Sequence, residues 1–533
     1  MSSPKPRILV LDHVSPRGVE VLTAEASFEV VVKPPLKEPE LVAELPNFDA
    51  LVVRSQTKVG RAAITAGSRL KVIGRAGVGV DNVDVDAATE RGVIVMNTPG
   101  GNTISTAEHA FSLMLSMARC IPQAHASMRE GKWDRKSFTG VELYNKTLGI
   151  IGLGRIGSEF ARRAIAFGMH VLAYDPFTSL ARARSLQVEM VELDDLFARA
   201  DVITVHMPLS ERTKGIVGRD AFAKMKKGVR VINCARGGIV DEKALADALR
   251  EGKVAAAALD VYEQEPPPSD HPLRAFPQVV MTPHLGASTN EAQESVGIEI
   301  AEAIRTFLVK GEVVNAVNVP NVDAKTLGVI RPWLRLAERL GRGVSQLAPD
   351  RVEELTVSYS GSVSEVNTQP ITRLVVKGFL ERASGRDVNP VNAMVTASVL
   401  GIRVVENRIS ALGSHTELLH VSASRGKETA AMTATFFGSP DNPRIVRIND
   451  RTVEAAPEGI ILLFANDDCP GIIGHIGTIL GRHKINIASM TLSREKLGGP
   501  AITALNLDTE PSAAVLKEVS THPTIHWAKV VKL

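Results

Sequence analysis

The sequence predicts an α/β protein with two doubly wound lobes, then an α+β domain, then a small βαββαβ unit. Three observations carry this. Over residues 7–318, short runs rich in Val, Ile and Leu alternate with longer helical stretches. That is the pattern of parallel strands buried on both faces between helices. Residues 320–455 read differently, with one helical stretch followed by strand-like segments. The last stretch, 458–533, runs strand, helix, strand, strand, helix, strand, the ferredoxin-like order.

Taken in order, the predicted strands of the α/β region are 7–12, 50–55, 71–76, 93–98, 147–152, 170–175, 201–207, 229–235, 254–261 and 279–282. Helices fill the gaps. In 105–120, Ala107, Ala110, Phe111, Met114, Met117 and Ala118 follow the i, i+3, i+4 spacing of a buried helix face. Pro320 and residues 321–326 read as a linker. A helix follows with apolar Trp333, Leu334, Ala337 and Leu340, then strand-like 354–359, 420–424, 430–437 and 444–448. Residues 450–457 read as a second linker. The region between the linkers carries no chemical motif, so a binding or spacer domain is expected. The tail is predicted as strand 460–465, loop 466–470, helix 471–482, strands 485–493 and 501–508, helix 513–522 and strand 526–532.

Composition narrows the class. The chain has 533 residues, 44% hydrophobic and 23% charged, which excludes wholesale disorder. This length accommodates about three to five domains. Sixty-two basic residues against 59 acidic leave a net charge of +3, so a strongly basic nucleic-acid surface is not implied. The three cysteines, Cys120, Cys234 and Cys469, cannot form a disulfide framework or a four-cysteine zinc site. No metal is expected, and a reduced, cytoplasmic setting is the default. The N-terminal MSSPKPRILVLD runs straight into a strand without the apolar core of a secretory signal. No apolar run reaches the length of a membrane span, and no membrane or nucleic-acid partner is expected.

The most specific motif is TLGIIGLGRIG at 147–157. A strand leads into Gly152-x-Gly154-x-x-Gly157, and a helix follows. Gly152 permits the tight turn, Gly154 lets the backbone approach a pyrophosphate, and Gly157 lets the helix pack close to the strand. The helix N-terminus offers free N–H groups to phosphate. Asp175 ends the next strand, 18 residues after Gly157. A carboxylate there accepts hydrogen bonds from the adenosine ribose and repels a 2′-phosphate. The reading is a Rossmann-like domain that binds NAD rather than NADP.

Three later strand ends carry polar groups: Asn233–Gly238, Asp260–Pro266 and Thr282–Ala287. Ligands of open α/β sheets lie beyond such ends. His284 suits proton transfer to and from a hydroxyl as hydride leaves for a nicotinamide. Glu265 suits the far ring nitrogen and favours the protonated form. Arg236 suits a bidentate grip on a substrate carboxylate. Taken singly, a structural histidine, a helix-capping Glu and a surface Arg are equally open.

These segments, with VRSQTKV, GRAGVGVDNVD, NTPGGN, GLGRIG, NCARGGIVDE, ALDVYEQEPP and PHLGAST, closely resemble the D-isomer-specific 2-hydroxyacid dehydrogenases. Essentially the whole chain resembles the long members that oxidise 3-phospho-D-glycerate to 3-phosphohydroxypyruvate, the first step toward L-serine. The resemblance implies Arg236, Glu265 and His284 as the catalytic set. It implies cofactor contacts at Arg155, Ile156, Asp175, Met207, Cys234, Ala235, Arg236, Asp260, His284, Gly286 and Ala287. Met207 and Val78 lie where some relatives carry hydroxyl residues.

A doubly anionic substrate needs several cations. Arg54 and Arg75 end buried strands, and Arg135 and Lys136 lie in GKWDRK. Gly77, Val78, Gly79 and Asn102 add backbone or amide donors. In relatives the residue matching Arg135 reaches the phosphate from a neighbouring subunit, which implies a homodimer or homotetramer. The expected division is a discontinuous substrate lobe (1–98 and 288–318), a cofactor lobe (99–287), an intervening domain (319–457) and a regulatory tail (458–533), with a cleft that closes over substrate.

The tail resembles an ACT domain, an amino-acid-binding module. Its Pro470-Gly471 turn exposes helix N–H groups to an effector carboxylate. Asp468 suits the effector ammonium. Asn486 falls where relatives place a ligand-holding amide, and Asn466 stands where relatives have His or Tyr. Serine is the implied effector. The intervening segment resembles one that contributes to assembly and takes a second anionic effector. Two other readings stay open here: a dehydrogenase for glycerate, lactate or 2-hydroxyglutarate, and an NAD-sensing corepressor that acts by binding partners.

Overall fold

A computed structural model describes residues 4–381, 387–409, 416–494 and 496–533. The first lobe is a five-stranded parallel sheet in the order Glu29–Val32, Arg7–Val10, Ala50–Val53, Val72–Arg75, Ile94–Met96. Alternate residues serve opposite faces. Ile8 and Val10 pack with Ile300 and Ile304 of the helix Asn290–Lys310. Leu9 and Leu11 pack with Leu41, Ile64 and Ala87 on the other side. Both faces are covered, which is why these strands carry so little polar alternation.

The second lobe is a seven-stranded sheet, Val279–Met281, Val254–Leu259, Val229–Asn233, Val202–Val205, Thr147–Ile151, His170–Tyr174, Glu189–Met190. All its pairings are parallel. The helix Thr103–Ala118 lays Ala110, Phe111 and Met114 against Phe160 and Ala164 of the helix Arg155–Ala166. The short strands Glu29–Val32 and Glu189–Met190 stand at sheet edges and were not among the predicted strands.

The intervening region pairs two long helices, Ala324–Leu347 and Gln369–Leu380, with a six-stranded sheet. The helices touch backbone to backbone: a Cβ on Gly341 would lie 2.0 Å from the Val375 carbonyl oxygen, and one on Gly378 2.0 Å from that of Glu338. Two boundaries differ from the sequence reading. The first helix begins at Ala324, within the expected linker. The second expected linker, 450–457, contains the strand Arg451–Ala455, which pairs antiparallel with Pro443–Ile448. Asn449, at φ 53°, and Asp450 form the tight turn between the two strands, Asn being among the residues that tolerate a positive φ.

The tail is a four-stranded antiparallel sheet, Ile487–Arg494, Pro500–Leu507, Ile460–Asp467, Ile525–Lys532. Leu462 and Phe464 face the helices Ile472–Arg482 and Ala513–Val519. Ile461 and Leu463 face the other way and share one core with Val344, Met432 and Val453 of the intervening region. That region also docks on the first lobe. Asn389 Nδ2 donates to the Gly92 carbonyl at 2.8 Å, and Val391 enters the first lobe's core. Among the described residues, no helix is long and apolar enough to cross a membrane.

Candidate active site

The strand ends of both lobes supply the site. In the second lobe, Gly152 follows Thr147–Ile151 at φ +98°, and a Cβ there would lie 2.5 Å from the His206 carbonyl oxygen. Gly154 caps the helix Arg155–Ala166 with no side-chain hydrogen bond, and among the described residues nothing lies within 4 Å of where its Cβ would be. A Cβ on Gly157 would sit 2.1 Å from the Gly152 carbonyl oxygen. The loop is thus tight at both ends and open in the middle. Helix N–H groups next to open space form an anion cradle, and these residues fit a dinucleotide pyrophosphate. Asp175 ties its strand end to this loop: Oδ2 accepts from Leu153 N at 2.8 Å, and Oδ1 from Phe177 N at 2.8 Å and Thr178 N at 3.1 Å. Arg155 is exposed, Ile156 and Met207 are partly buried, and Cys234 is buried. Burial raises the Cys234 thiol pKa, with Asp260 adding to the shift.

His284 and Glu265, far apart in sequence, meet: Nδ1 lies 2.7 Å from Oε2. The hydrogen bond to Glu265 raises the histidine pKa above its ordinary value, against the effect of burial. Burial opposes ionisation of Glu265, but its bond to His284 prevails and leaves its carboxyl below the usual range. Glu265 Oε1 also accepts from Tyr262 N at 3.1 Å. The paired Nδ1 leaves Nε2 as the ring's free position. His284 itself has φ 55°, an uncommon conformation for a side-chain-bearing residue.

The histidine loop hangs on Asp260. This carboxylate is fully buried. Oδ1 accepts from Thr282 Oγ1 at 2.6 Å and Leu285 N at 2.8 Å, and Oδ2 from Gly286 N at 2.9 Å. His109 Nε2 lies 3.1 Å from Oδ1. Burial opposes ionisation, yet the bonds from His109 and Thr282 hold the pKa below normal. The family resemblance implies a cofactor contact at Asp260; in the structure its oxygens are taken up in shaping the loop that carries His284. Gly286 O accepts from Ser105 Oγ and Thr106 Oγ1, both at 3.0 Å, and Ala287 follows, partly buried.

Across the cleft, Arg54 follows Ala50–Val53, and Arg75 ends Val72–Arg75. Buried Asp12 fixes the Arg54 turn, accepting from Arg54 N and Thr57 N at 2.9 Å each. Burial, then Arg236, push the Arg75 pKa down to about 10. A Cβ on Gly77 would meet the Arg75 guanidinium at 1.6 Å. Val78 O accepts from Asn97 Nδ2 at 2.6 Å. Asn102, at the start of the helix Thr103–Ala118, has a buried Oδ1 with no partner among the described residues. Arg236 reaches this loop: its Nε lies 3.2 Å from Asp81 Oδ2. The sequence expects Arg236 to grip a substrate carboxylate bidentately. Instead Nε faces Asp81 and Nη1 donates to Ala235 O at 2.7 Å. Asp81 was missed; its only signal was being an acid within GVGVDN. Arg135 is exposed after the helix Ile121–Arg129. Among the described residues, no side-chain bond joins it to the cleft arginines.

The tail residues do not converge in one copy. Asn466 is fully buried within a strand, and its Nδ2 donates to Asp467 O at 2.9 Å. Asp468 is paired with Arg494 Nη1 at 2.7 Å, which lowers its carboxyl pKa. It is therefore engaged rather than free for an ammonium. Asn486 bonds Asp508 at 2.8 Å. Strand register aligns Ile487 with Leu507 and Ile460, and Arg494 with Ala501 and Asn466. Asn486 thus lies at the opposite sheet end from Asn466 and Asp468.

Comparison with known proteins agrees with this architecture. Residues 111–286 match the D-isomer specific 2-hydroxyacid dehydrogenase NAD binding domain, residues 329–449 the D-3-phosphoglycerate dehydrogenase intervening domain, and residues 459–523 the ACT domain. A D-3-phosphoglycerate dehydrogenase of Archaeoglobus fulgidus is 45% identical over 99% of this chain and 100% of its own. Among solved structures, a glyoxylate reductase from Paecilomyes thermophila is 34% identical over 59% of this chain and 99% of its own, at TM-score 0.55. An NAD-dependent formate dehydrogenase from Staphylococcus aureus, solved with NAD, is 29% identical over 59% of this chain and 100% of its own, at TM-score 0.53. With near-complete coverage of so similar a relative, this chain belongs to the D-3-phosphoglycerate dehydrogenase family.

Proposed function

We infer that the chain oxidises 3-phospho-D-glycerate to 3-phosphohydroxypyruvate with NAD, the entry step of serine synthesis in the cytoplasm. The observation that carries this reading is the His284–Glu265 pair, 2.7 Å apart, at the strand ends opposite a cluster of arginines. When bound, NAD supplies the hydride acceptor. His284 Nε2 takes the hydroxyl proton as the carbinol hydride departs, and returns it to the carbonyl oxygen in reduction. Glu265 holds the ring in the tautomer with Nδ1 protonated and stabilises the imidazolium that forms. Arg236 binds the substrate carboxylate and polarises the reacting carbon–oxygen bond. Arg54 and Arg75 neutralise the remaining anionic charge, and backbone N–H groups of the loop 77–79 orient it. Asn102 adds an amide.

A homodimer completes the assembly, with Arg135 serving the neighbouring subunit's phosphate subsite. Serine binds the tails as a feedback effector. Because Asn466 and Asn486 occupy opposite ends of one sheet, two tails side by side supply a complete pocket.

The test is NADH oxidation by the full chain with 3-phosphohydroxypyruvate, with and without millimolar serine. Turnover suppressed by serine is expected. Turnover indifferent to serine would remove the effector role and keep the enzyme. No turnover, with NADH still bound, would remove the activity.

A further inference from the structure

The Arg236 guanidinium is held from two sides. Nη1 donates to Ala235 O at 2.7 Å, and Nε lies 3.2 Å from Asp81 Oδ2. Asp81 belongs to the first-lobe loop after Arg75, and Arg236 to the second lobe, so the pair spans the cleft. Nη2 is the corner left free of those two anchors. It lies over Gly79, 2.0 Å from where a Cβ would stand, with Asp81 Oδ2 2.5 Å from the same point. Gly79 has no positive φ. The ends of the ion pair occupy the space a side chain here would take, so a methyl would displace them.

Charge gives a second argument. Arg236 and Arg54 each repel Arg75 and lower its pKa, while Asp81 and Asp12 raise it. Asp12 is buried and committed to the Arg54–Thr57 turn. Asp81 is the exposed acid of the group, with a side chain 74% accessible. Exposed pairs contribute little stability by themselves, so the use of this one lies in geometry. It fixes a long side chain whose rotamers otherwise spread the free corner over many positions.

We propose that Asp81 is a positioning residue, whose carboxylate holds Arg236 across the cleft with Nη2 turned toward the substrate carboxylate. The proposal rests on the dehydrogenase reading above. It adds that the carboxylate-binding arginine is assembled from both lobes, so its aim depends on how the lobes meet.

The test is a double-mutant cycle in the full chain, with Asp81→Ala and Arg236→Lys singly and together, measured with NADH and 3-phosphohydroxypyruvate. Arg236→Lys retains a charge but has no Nε fork to hold. Asp81→Ala in the parent is expected to raise the ketoacid KM about tenfold or more, and in the Arg236→Lys background to change it by about twofold or less. NADH affinity and melting temperature should stay at the parent values. Gly79→Ala, whose methyl displaces both partners, should reproduce the Asp81→Ala kinetics. Equal losses in both backgrounds would overturn the proposal by making Asp81 a support for its own loop. A lower KM in Asp81→Ala would also overturn it, since the carboxylate would then be competing with substrate. A silent Asp81→Ala in an active parent refutes only this assignment, whereas an inactive parent refutes the activity beneath it.

Discussion

In the proposed reaction His284 would act as an acid in one direction and a base in the other, and its bond to Glu265 would bias that choice. The carboxylate bond raises the histidine pKa, so the imidazolium persists to higher pH than an isolated ring would allow. Reduction of the ketoacid needs the protonated ring, so kcat/KM should hold on the acid side and fall as pH rises through the raised pKa. Oxidation needs the neutral ring and should rise over the same range. Glu265→Gln removes the largest stabilising influence on the imidazolium. The falling limb of reduction should therefore move to lower pH in a pH–rate profile; an unmoved limb would detach Glu265 from the titration. His284, Glu265 and Arg236 were legible in sequence because each follows a strand run, and strand ends of parallel sheets converge. What Asp81 and Asp260 bond was not. Their partners lie on other strands or in the other lobe, and spacing along the chain says nothing about them.

At the scale of elements, the three glycines of the phosphate loop make separable demands. Gly157 needs its missing side chain because the helix packs against the Gly152 carbonyl; Gly154 has free space, which a ligand would use. Gly157→Ala should lower the melting temperature of the cofactor-free protein, since overpacking costs roughly 1–3 kcal/mol, and should raise the NADH Kd by shifting the loop. Gly154→Ala should melt like the parent and still bind NADH more weakly. The two are separated by a melt without cofactor and a fluorescence titration. A destabilised Gly154→Ala would mean that the open space serves the fold. The buried strands were plain in sequence, whereas Glu189–Met190 is only two residues long and offers no run to read; Glu29–Val32 is as apolar and as long as its neighbour Arg7–Val10 and was nonetheless not among the predicted strands. The strand Arg451–Ala455 was hidden by its charged residues and by Asn449-Asp450, which read as linker polarity rather than a hairpin turn.

At the scale of the whole molecule, the cores divide the chain unequally. The two catalytic lobes have cores of their own, and the intervening region reaches them through Asn389 and Val391. The intervening region and the tail, by contrast, share a core that runs from Ile330 to Val531, in addition to the tail's own core beneath its helices. The join is also polar: Gln346 Nε2 donates to Lys532 O at 2.8 Å, and Lys532 N returns a bond to Gln346 Oε1 at 3.0 Å. A chain ending at Pro320 should therefore fold, melt cooperatively and bind NADH. A longer chain ending at Pro457 should do worse, although it keeps more residues. Removing the tail uncovers the side of the intervening sheet around Met432 and Val453, and each apolar side chain returned to water costs about 1.5–3 kcal/mol. Melting of the two truncated chains, with light scattering to follow association, decides the matter. If the chain ending at Pro457 is as stable and as monodisperse as the full chain, then the tail is an appended sensor rather than half of a common core.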